Sequence, residues 1–238
     1  MNFSLKPIET GMTSLSFTGG FVLAGGRSSR MGTDKALTLL AGLPLIHIAI
    51  QTVAAAGVSA KIAGARSPLA AFAPEIPDTL PDSGPLGGIH AALSASPAGW
   101  NLFLPVDLPL MPASLLTCLL RRAALTGQPV TATRLNGRLE PFPAVLHRSI
   151  LPQIVQRLET GKTACHQAWL TIPPELGTEL DAVPVENLAQ CGQCHHPGNL
   201  PPVFWFQSAN TPRELEMLNR IYANSFPPSS IPSSNLRA

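Results

Sequence analysis

The sequence predicts an α/β domain: a doubly wound, mostly parallel sheet with a small antiparallel excursion. Short apolar runs alternate with stretches of helical period, glycine and proline mark the joins, and the first run enters a Gly-Gly loop. Phe21–Ala24 is a buried strand, and Pro44 to Gly57 a helix, because Leu45, Ile48, Ala49, Val53 and Ala56 share one face between an opening proline and a closing glycine. A strand at Ala60–Ala63, a helix near Leu86–Ser94, a strand at Leu102–Val106 and a helix near Ala113–Leu125 continue the alternation. Such alternation with short joins implies right-handed βαβ units. Strands then follow at Val130–Arg134, Pro143–His147 and Leu180–Val185, with a helix near Ile150–Leu158 between. Thr211-Pro212-Arg213-Glu214 combines an N-cap hydroxyl, proline at the first helical position and a glutamate at the third, so a helix runs from there to about Tyr222.

Residues 1–18 read as a loose polar leader, residues 19–223 as the domain, and residues 224–238, rich in Pro and Ser, as a tail too polar to order itself. Composition excludes several function classes. Sixteen Lys and Arg against fourteen Asp and Glu leave a net charge of +2, with 13% charged residues and a single adjacent Arg pair, Arg121-Arg122, so no nucleic-acid footprint is present. The pair sits at a helix end, where cations favour the carbonyl dipole. Mean hydropathy is +0.20, yet the best apolar stretch, Leu39–Ile50, is interrupted by Gly42, Pro44 and His47 and falls short of the roughly 20 residues a spanning helix needs. No secretory h-region opens the chain, so the cytoplasm is expected and the four cysteines are expected to stay reduced.

Chemistry concentrates between Leu23 and Lys35, LAGGRSSRMGTDK, where Gly25 and Gly26 follow a strand and Arg27, Arg30 and Lys35 gather in an otherwise charge-poor chain. Glycines let backbone N–H groups approach an anion, and the cations then neutralise it; a triphosphate suits such a cradle. Neither GxxxxGK[ST] nor GxGxxG spacing is present, and a plain glycine turn with exposed arginines satisfies the same residues. Asp107 ends an apolar strand, a position that in an open α/β sheet reaches the ligand crevice and suits a divalent cation beside phosphates; it equally suits a helix N-cap. Asp82, in PDSGP, fits a nucleotide site or an ordinary Asx-turn.

The string LAGG, S-x-R-M-G, DK resembles the signature loop of the nucleotidyltransferase family that includes molybdenum cofactor guanylyltransferase. Asp82 to Ile89 resembles that family's acid followed by GPLxGI, Leu104 to Pro109 its strand-end Asp, and weaker echoes lie at 141–145 and in the closing segment 206–215. The resemblance implies a Rossmann-like nucleotidyltransferase fold and Mg²⁺-dependent transfer of GMP from GTP to molybdopterin, releasing pyrophosphate. It implies Lys35, Arg30 and Arg27 as the catalytic cations. Leu23, Ala24, Gly25, Gly26, Lys35, Asp82 and Asp107 are implied as nucleotide-binding, with Asp107 on the metal. GTP, molybdopterin or its molybdenum-loaded form and molybdoenzyme maturation factors are the expected partners, with no nucleic acid and no membrane, and the excursion near Pro129–His147 is expected to cover the acceptor pocket. Two departures stand out. Ala63-Gly64-Ala65-Arg66 lacks the family's asparagine, and Ser208 replaces another, while Asn210 and Thr211-Pro212 are kept. A cytidylyltransferase for the same pterin or a sugar-phosphate nucleotidyltransferase therefore stays open.

Cys191-Gly192-Gln193-Cys194-His195-His196 formally matches a CxxCH motif and leaves a more distant reading open, a non-catalytic nucleotide- or metal-sensing module; an ordinary loop is the plainer account. Cys118 and Cys165 read as small core residues, and His90 as either a packed helix residue or part of the site wall. No GxSxG elbow accompanies Ser28 or Ser29, so a hydrolytic triad is excluded.

Overall fold

Successive residues at the end of the first strand point to opposite faces and are all buried: Val22 belongs to one apolar cluster, Phe21 and Leu23 to another. A strand apolar on both sides needs cover on both sides, and the computed structural model, which describes residues 18–25, 34–65, 69–80 and 83–225, supplies it. The strands are β1 (Thr18–Leu23), β2 (Leu39–Leu40), β3 (Leu43–Pro44), β4 (Ala60–Ala63), β5 (Glu75–Ile76), β6 (Trp100–Pro105), β7 (Val130–Leu135), β8 (Arg138–His147) and β9 (Asp181–Pro184). The α-helices are α1 (Leu45–Ala55), α2 (Gly84–Ala95), α3 (Ala113–Thr126), α4 (Leu151–Glu159), α5 (Cys165–Glu175), α6 (Val185–Gln190), α7 (Pro202–Trp205) and α8 (Pro212–Ser225).

Seven strands form one sheet in the order β5-β4-β1-β6-β8-β7-β9, and β2 and β3 form a separate antiparallel pair. The first four are parallel, β8 runs antiparallel to β6 and β7, and β9 runs parallel to β7. The antiparallel excursion is thus part of the main sheet. Helices α1 and α3 cover the Val22 face, where Trp205 of α7 and Leu218 of α8 join them; α2, α4 and α5 cover the Phe21 face. From β1 the chain moves outward through β4 and β5, then returns to place β6 on the other side of β1. That reversal makes the carboxyl ends of β1 and β6 a topological switch point, the crevice where open α/β sheets bind ligands.

Several joins follow from single residues. Gly127 closes α3 in the left-handed region (φ 66°), its N–H reaching the Ala123 carbonyl at 3.0 Å. Asn136 and Gly137, both at positive φ (50° and 75°), make the two-residue turn from β7 into β8, which therefore starts at Arg138, upstream of the predicted Pro143. Helix α5 was not predicted: Pro173 and Pro174 occupy its last turn and withhold two N–H donors, while Thr178 closes the end on the Pro173 carbonyl. Helix α8 extends to Ser225, beyond the predicted Tyr222. Arg122 is not a dipole cation; its Nε donates to both oxygens of buried Asp181 at 2.8 Å and ties α3 to β9. The leader as far as residue 17 and the tail from residue 226 lie outside the described residues.

The CxxCH segment packs as a loop against α3. Ser114 Oγ donates to the His195 carbonyl at 2.7 Å, the Cys118 thiol lies 3.1 Å from the Gln193 carbonyl, Cys194 is buried and Cys191 exposed. Burial, with a smaller contribution from Cys118, pushes the Cys194 thiol up to about 12. Among the described residues no group of three or more His, Cys, Asp or Glu side chains could hold a metal ion. Burial also pushes His196 down to about 4, from an ordinary 6.5. The unfolded chain therefore binds a proton that the native state refuses between about pH 6.5 and pH 4, and stability falls as pH is lowered through that window. Thermal melts at stepped pH are expected to show this acid loss, with a shallower slope in His196→Gln.

Candidate active site

Asp34 accepts the Ala36 N–H at 2.9 Å and so caps a single 3-10 turn, Lys35–Leu37, whose first residue projects its side chain into the switch point. On the facing side, Val106 N–H donates to the Leu23 carbonyl at 3.0 Å, carrying the β1–β6 ladder past its last rung and placing Asp107 just beyond it. Lys35 Nζ meets Asp107 Oδ2 at 2.7 Å, with side chains 19% and 24% exposed. The ammonium thus keeps solvent access on one side and a carboxylate on the other. It also donates to Asn210 Oδ1.

Asn210 was not among the predicted site residues, although it lies in the recognised closing motif. The geometry shows how it arrives. Ala209 N–H donates to the Asp107 carbonyl at 3.0 Å, Asn210 Nδ2 donates to Ser208 Oγ at 2.6 Å, and Asn210 N–H donates to Glu214 Oε2 at 2.9 Å. Glu214 N–H in turn donates to Thr211 Oγ1 at 3.2 Å, so the capping box that starts α8 also fixes the asparagine. Ser208, the departure from the family motif, anchors the asparagine amide. On the far side, Asn219 of α8 accepts the Ala41 N–H at 2.8 Å, fastening the helix to the β2–β3 hairpin that follows Lys35.

The glycines have a separate purpose. A Cβ on Gly25 would stand 2.6 Å from the Gly64 carbonyl oxygen, and one on Gly88, in the first turns of α2, would meet Gly64 at 3.5 Å. Backbone from the ends of β1 and β4 and from α2 therefore packs without side chains into one flat wall. Ala24 N–H, donating to the Ala63 carbonyl at 3.0 Å, continues that wall. Gly25→Ala must push two backbones apart, an overpacking expected to destabilise by about 1–3 kcal/mol. Chemical denaturation measures this, and nucleotide affinity is expected to fall with it.

Leu23 is buried beneath the crevice, while Ala24 and Gly25 reach its surface. Gly26, Arg27, Arg30 and Asp82 lie outside the described residues. His90 sits on α2 with its Nδ1 3.4 Å from Thr79 Oγ1. Asp107 does not cap a helix; its carboxylate is turned to Lys35. No helix among the described residues is long and apolar enough to cross a membrane.

A lysine and an acid facing each other across the switch point of a doubly wound sheet, beneath a glycine wall, define an α/β nucleotide-handling domain. The match to known proteins is more specific. The family model described as the MobA-like NTP transferase domain matches residues 20–172. A molybdenum cofactor guanylyltransferase of Vibrio cholerae is 32% identical over 191 residues, covering 76% of this chain and 94% of that protein. One from Serratia proteamaculans is 36% identical over 60% of this chain and 74% of its own length. The chain belongs to the MobA-like NTP transferase family, and it is a nucleotidyltransferase. Among solved structures, molybdopterin-guanine dinucleotide biosynthesis protein A from Archaeoglobus fulgidus superposes with a TM-score of 0.69 at 21% identity, over 86% of this chain and 98% of that one. The 2-C-methyl-D-erythritol 4-phosphate cytidylyltransferase of Thermus thermophilus gives 0.58 at 14%, over 85% and 97%. Both likenesses speak to the fold.

Proposed function

We propose that this protein transfers GMP from GTP to the terminal phosphate of molybdopterin, in the cytoplasm and with Mg²⁺, releasing pyrophosphate. The observation that carries the reading is the 2.7 Å Lys35–Asp107 contact at the switch point, which brings together a cation suited to phosphates and an acid suited to a divalent metal ion. The relatives named molybdenum cofactor guanylyltransferase support the choice of substrates. Asp107 fits a hard cation: among the described residues Lys35 is its carboxylate's one hydrogen-bond partner, on Oδ2, and the side chain keeps partial exposure, so a hard oxygen donor is left without a protein partner. Bound between Asp107 and the phosphates, Mg²⁺ would supply charge neutralisation there.

The protein provides no nucleophile. An acceptor phosphate oxygen forms the new bond to the α-phosphorus of GTP while the bond from that phosphorus to the α–β bridging oxygen breaks, and the electron pair leaves with pyrophosphate. Positioning and electrostatics account for catalysis in such a transfer. Lys35 is the catalytic group on the departing phosphates, with Arg27 and Arg30 gripping the same anion from the loop. Leu23, Ala24, Gly25, Gly26 and Asp82 are the further nucleotide-binding residues of this reading. Incubation of purified protein with molybdopterin, Mg²⁺ and each of GTP, CTP, UTP and ATP tests the reading. GTP is expected to give the dinucleotide and one pyrophosphate per product; preferential product from CTP would overturn the base assignment, and pyrophosphate release without a pterin product would overturn the acceptor.

A further inference from the structure

An ammonium nitrogen is tetrahedral and carries N–H bonds that are all donors. At Lys35 one of them goes to Asp107 Oδ2 at 2.7 Å and a second to Asn210 Oδ1. Directing two N–H bonds of such a nitrogen leaves the last no choice of direction. With Asp107 alone, the group would still turn about its single bond to that carboxylate. The Asn210 oxygen therefore aims the remaining N–H, which has no acceptor among the described residues, and the 19% exposure of the lysine side chain leaves it open to a ligand.

An amide suits this second place because it is neutral: it directs the ammonium without cancelling the charge that phosphates need. Its weakness is that it can turn over and offer N–H groups to a cation instead of an oxygen. Asn210 is exposed, and an exposed side chain keeps its rotamer freedom unless something holds it. Ser208 holds it. Its half-buried Oγ accepts from Asn210 Nδ2 at 2.6 Å, and with the nitrogen taken the amide oxygen is turned to Lys35. The backbone on both sides of the amide is already pinned, Ala209 N–H on the Asp107 carbonyl at 3.0 Å and Asn210 N–H on Glu214 Oε2 at 2.9 Å. What freedom remains lies in the torsions of the Asn210 side chain, and the serine removes it. Residue 208 is the place where the resembled closing motif carries asparagine, so this link is a feature of the present chain.

We propose that Ser208 is a positioning residue for the transfer reaction, acting through Asn210 to aim the remaining N–H of Lys35 at the nucleotide's phosphates. This rests on the reading of Lys35 as the catalytic cation and adds the group that orients it. In steady-state assays Ser208→Ala is expected to lower kcat about fivefold to tenfold, the scale of one lost orienting hydrogen bond, with KM for GTP within about twofold and an unshifted melting temperature. Ser208→Thr keeps the hydroxyl and is expected to recover most of the rate. In the Lys35→Ala background Ser208→Ala is expected to change the residual rate by less than about twofold, because its effect passes through the missing ammonium. An unchanged kcat in Ser208→Ala overturns the assignment. So does an undiminished loss in the Lys35→Ala background, which puts the serine on a path that bypasses Lys35, and so does a lowered melting temperature in Ser208→Ala, which marks a structural role. Wild-type protein that releases no pyrophosphate from GTP in the presence of acceptor overturns the transfer reading itself, and is seen before any variant is made.

Discussion

Lys35→Ala is expected to lower kcat about a hundredfold or more at saturating GTP, as removal of one preorganised electrostatic donor does, on the order of 3 kcal/mol. The ammonium is held by Asp107 on one side and Asn210 on another, so it is placed before nucleotide arrives and needs little reorganisation to meet charge on departing phosphates. Its contribution to folding is much smaller. The Lys35–Asp107 pair retains solvent access on both partners, and exposed or half-exposed pairs contribute about 0–1 kcal/mol. A large loss of kcat with an unshifted melting temperature is therefore the signature of the proposed role. Lys35→Arg separates charge from shape: the guanidinium keeps the charge but not the reach or point geometry, and partial recovery is expected. Full activity of Lys35→Ala would reject Lys35 as the catalytic cation.

Where local pattern and tertiary structure agree, the sequence reading and the fold coincide: the run Phe21–Ala24, the helix after Pro44 and the Thr211–Glu214 start of α8 are each signalled by residues that act within a few positions of themselves. What escaped depends on longer range or on overridden local rules. Helix α5 survives two prolines because they fall in its last turn and because Trp169 and Ile172 bury themselves against the sheet. The β7–β8 hairpin carried its signal openly in Asn136-Gly137, and the start of β8 follows from it. Strands β2, β3 and β5 contain two residues each, too few for any period to register. Of the site, the Lys35 loop and Asp107 were legible because motif and strand end stand in the chain itself. That Asn210, remote in sequence, would touch Lys35 depended on α8 returning along the β2–β3 hairpin.

Asp107→Asn probes the other half of the site, and the expected loss of kcat/KM is about 10²–10³-fold, the scale of losing a key electrostatic group at a phosphoryl-transfer centre. Asparagine keeps the volume and still offers Lys35 an amide oxygen, and the bond from Ala209 N–H to the Asp107 backbone carbonyl does not depend on the side chain. The closing segment should stay docked and the melting temperature should move little. What changes is charge: a neutral amide is a poor ligand for Mg²⁺ beside phosphates, so the variant is expected to need far more Mg²⁺ to bind GTP in calorimetric titrations. The contact also makes the two substitutions dependent. Removing Lys35 in the Asp107→Asn background is expected to cost much less than in the wild type, because groups that act as a unit do not add. Additive losses would mean that the lysine and the aspartate serve separate steps. An Asp107→Asn enzyme with normal Mg²⁺ dependence would leave Asp107 only the task of orienting Lys35.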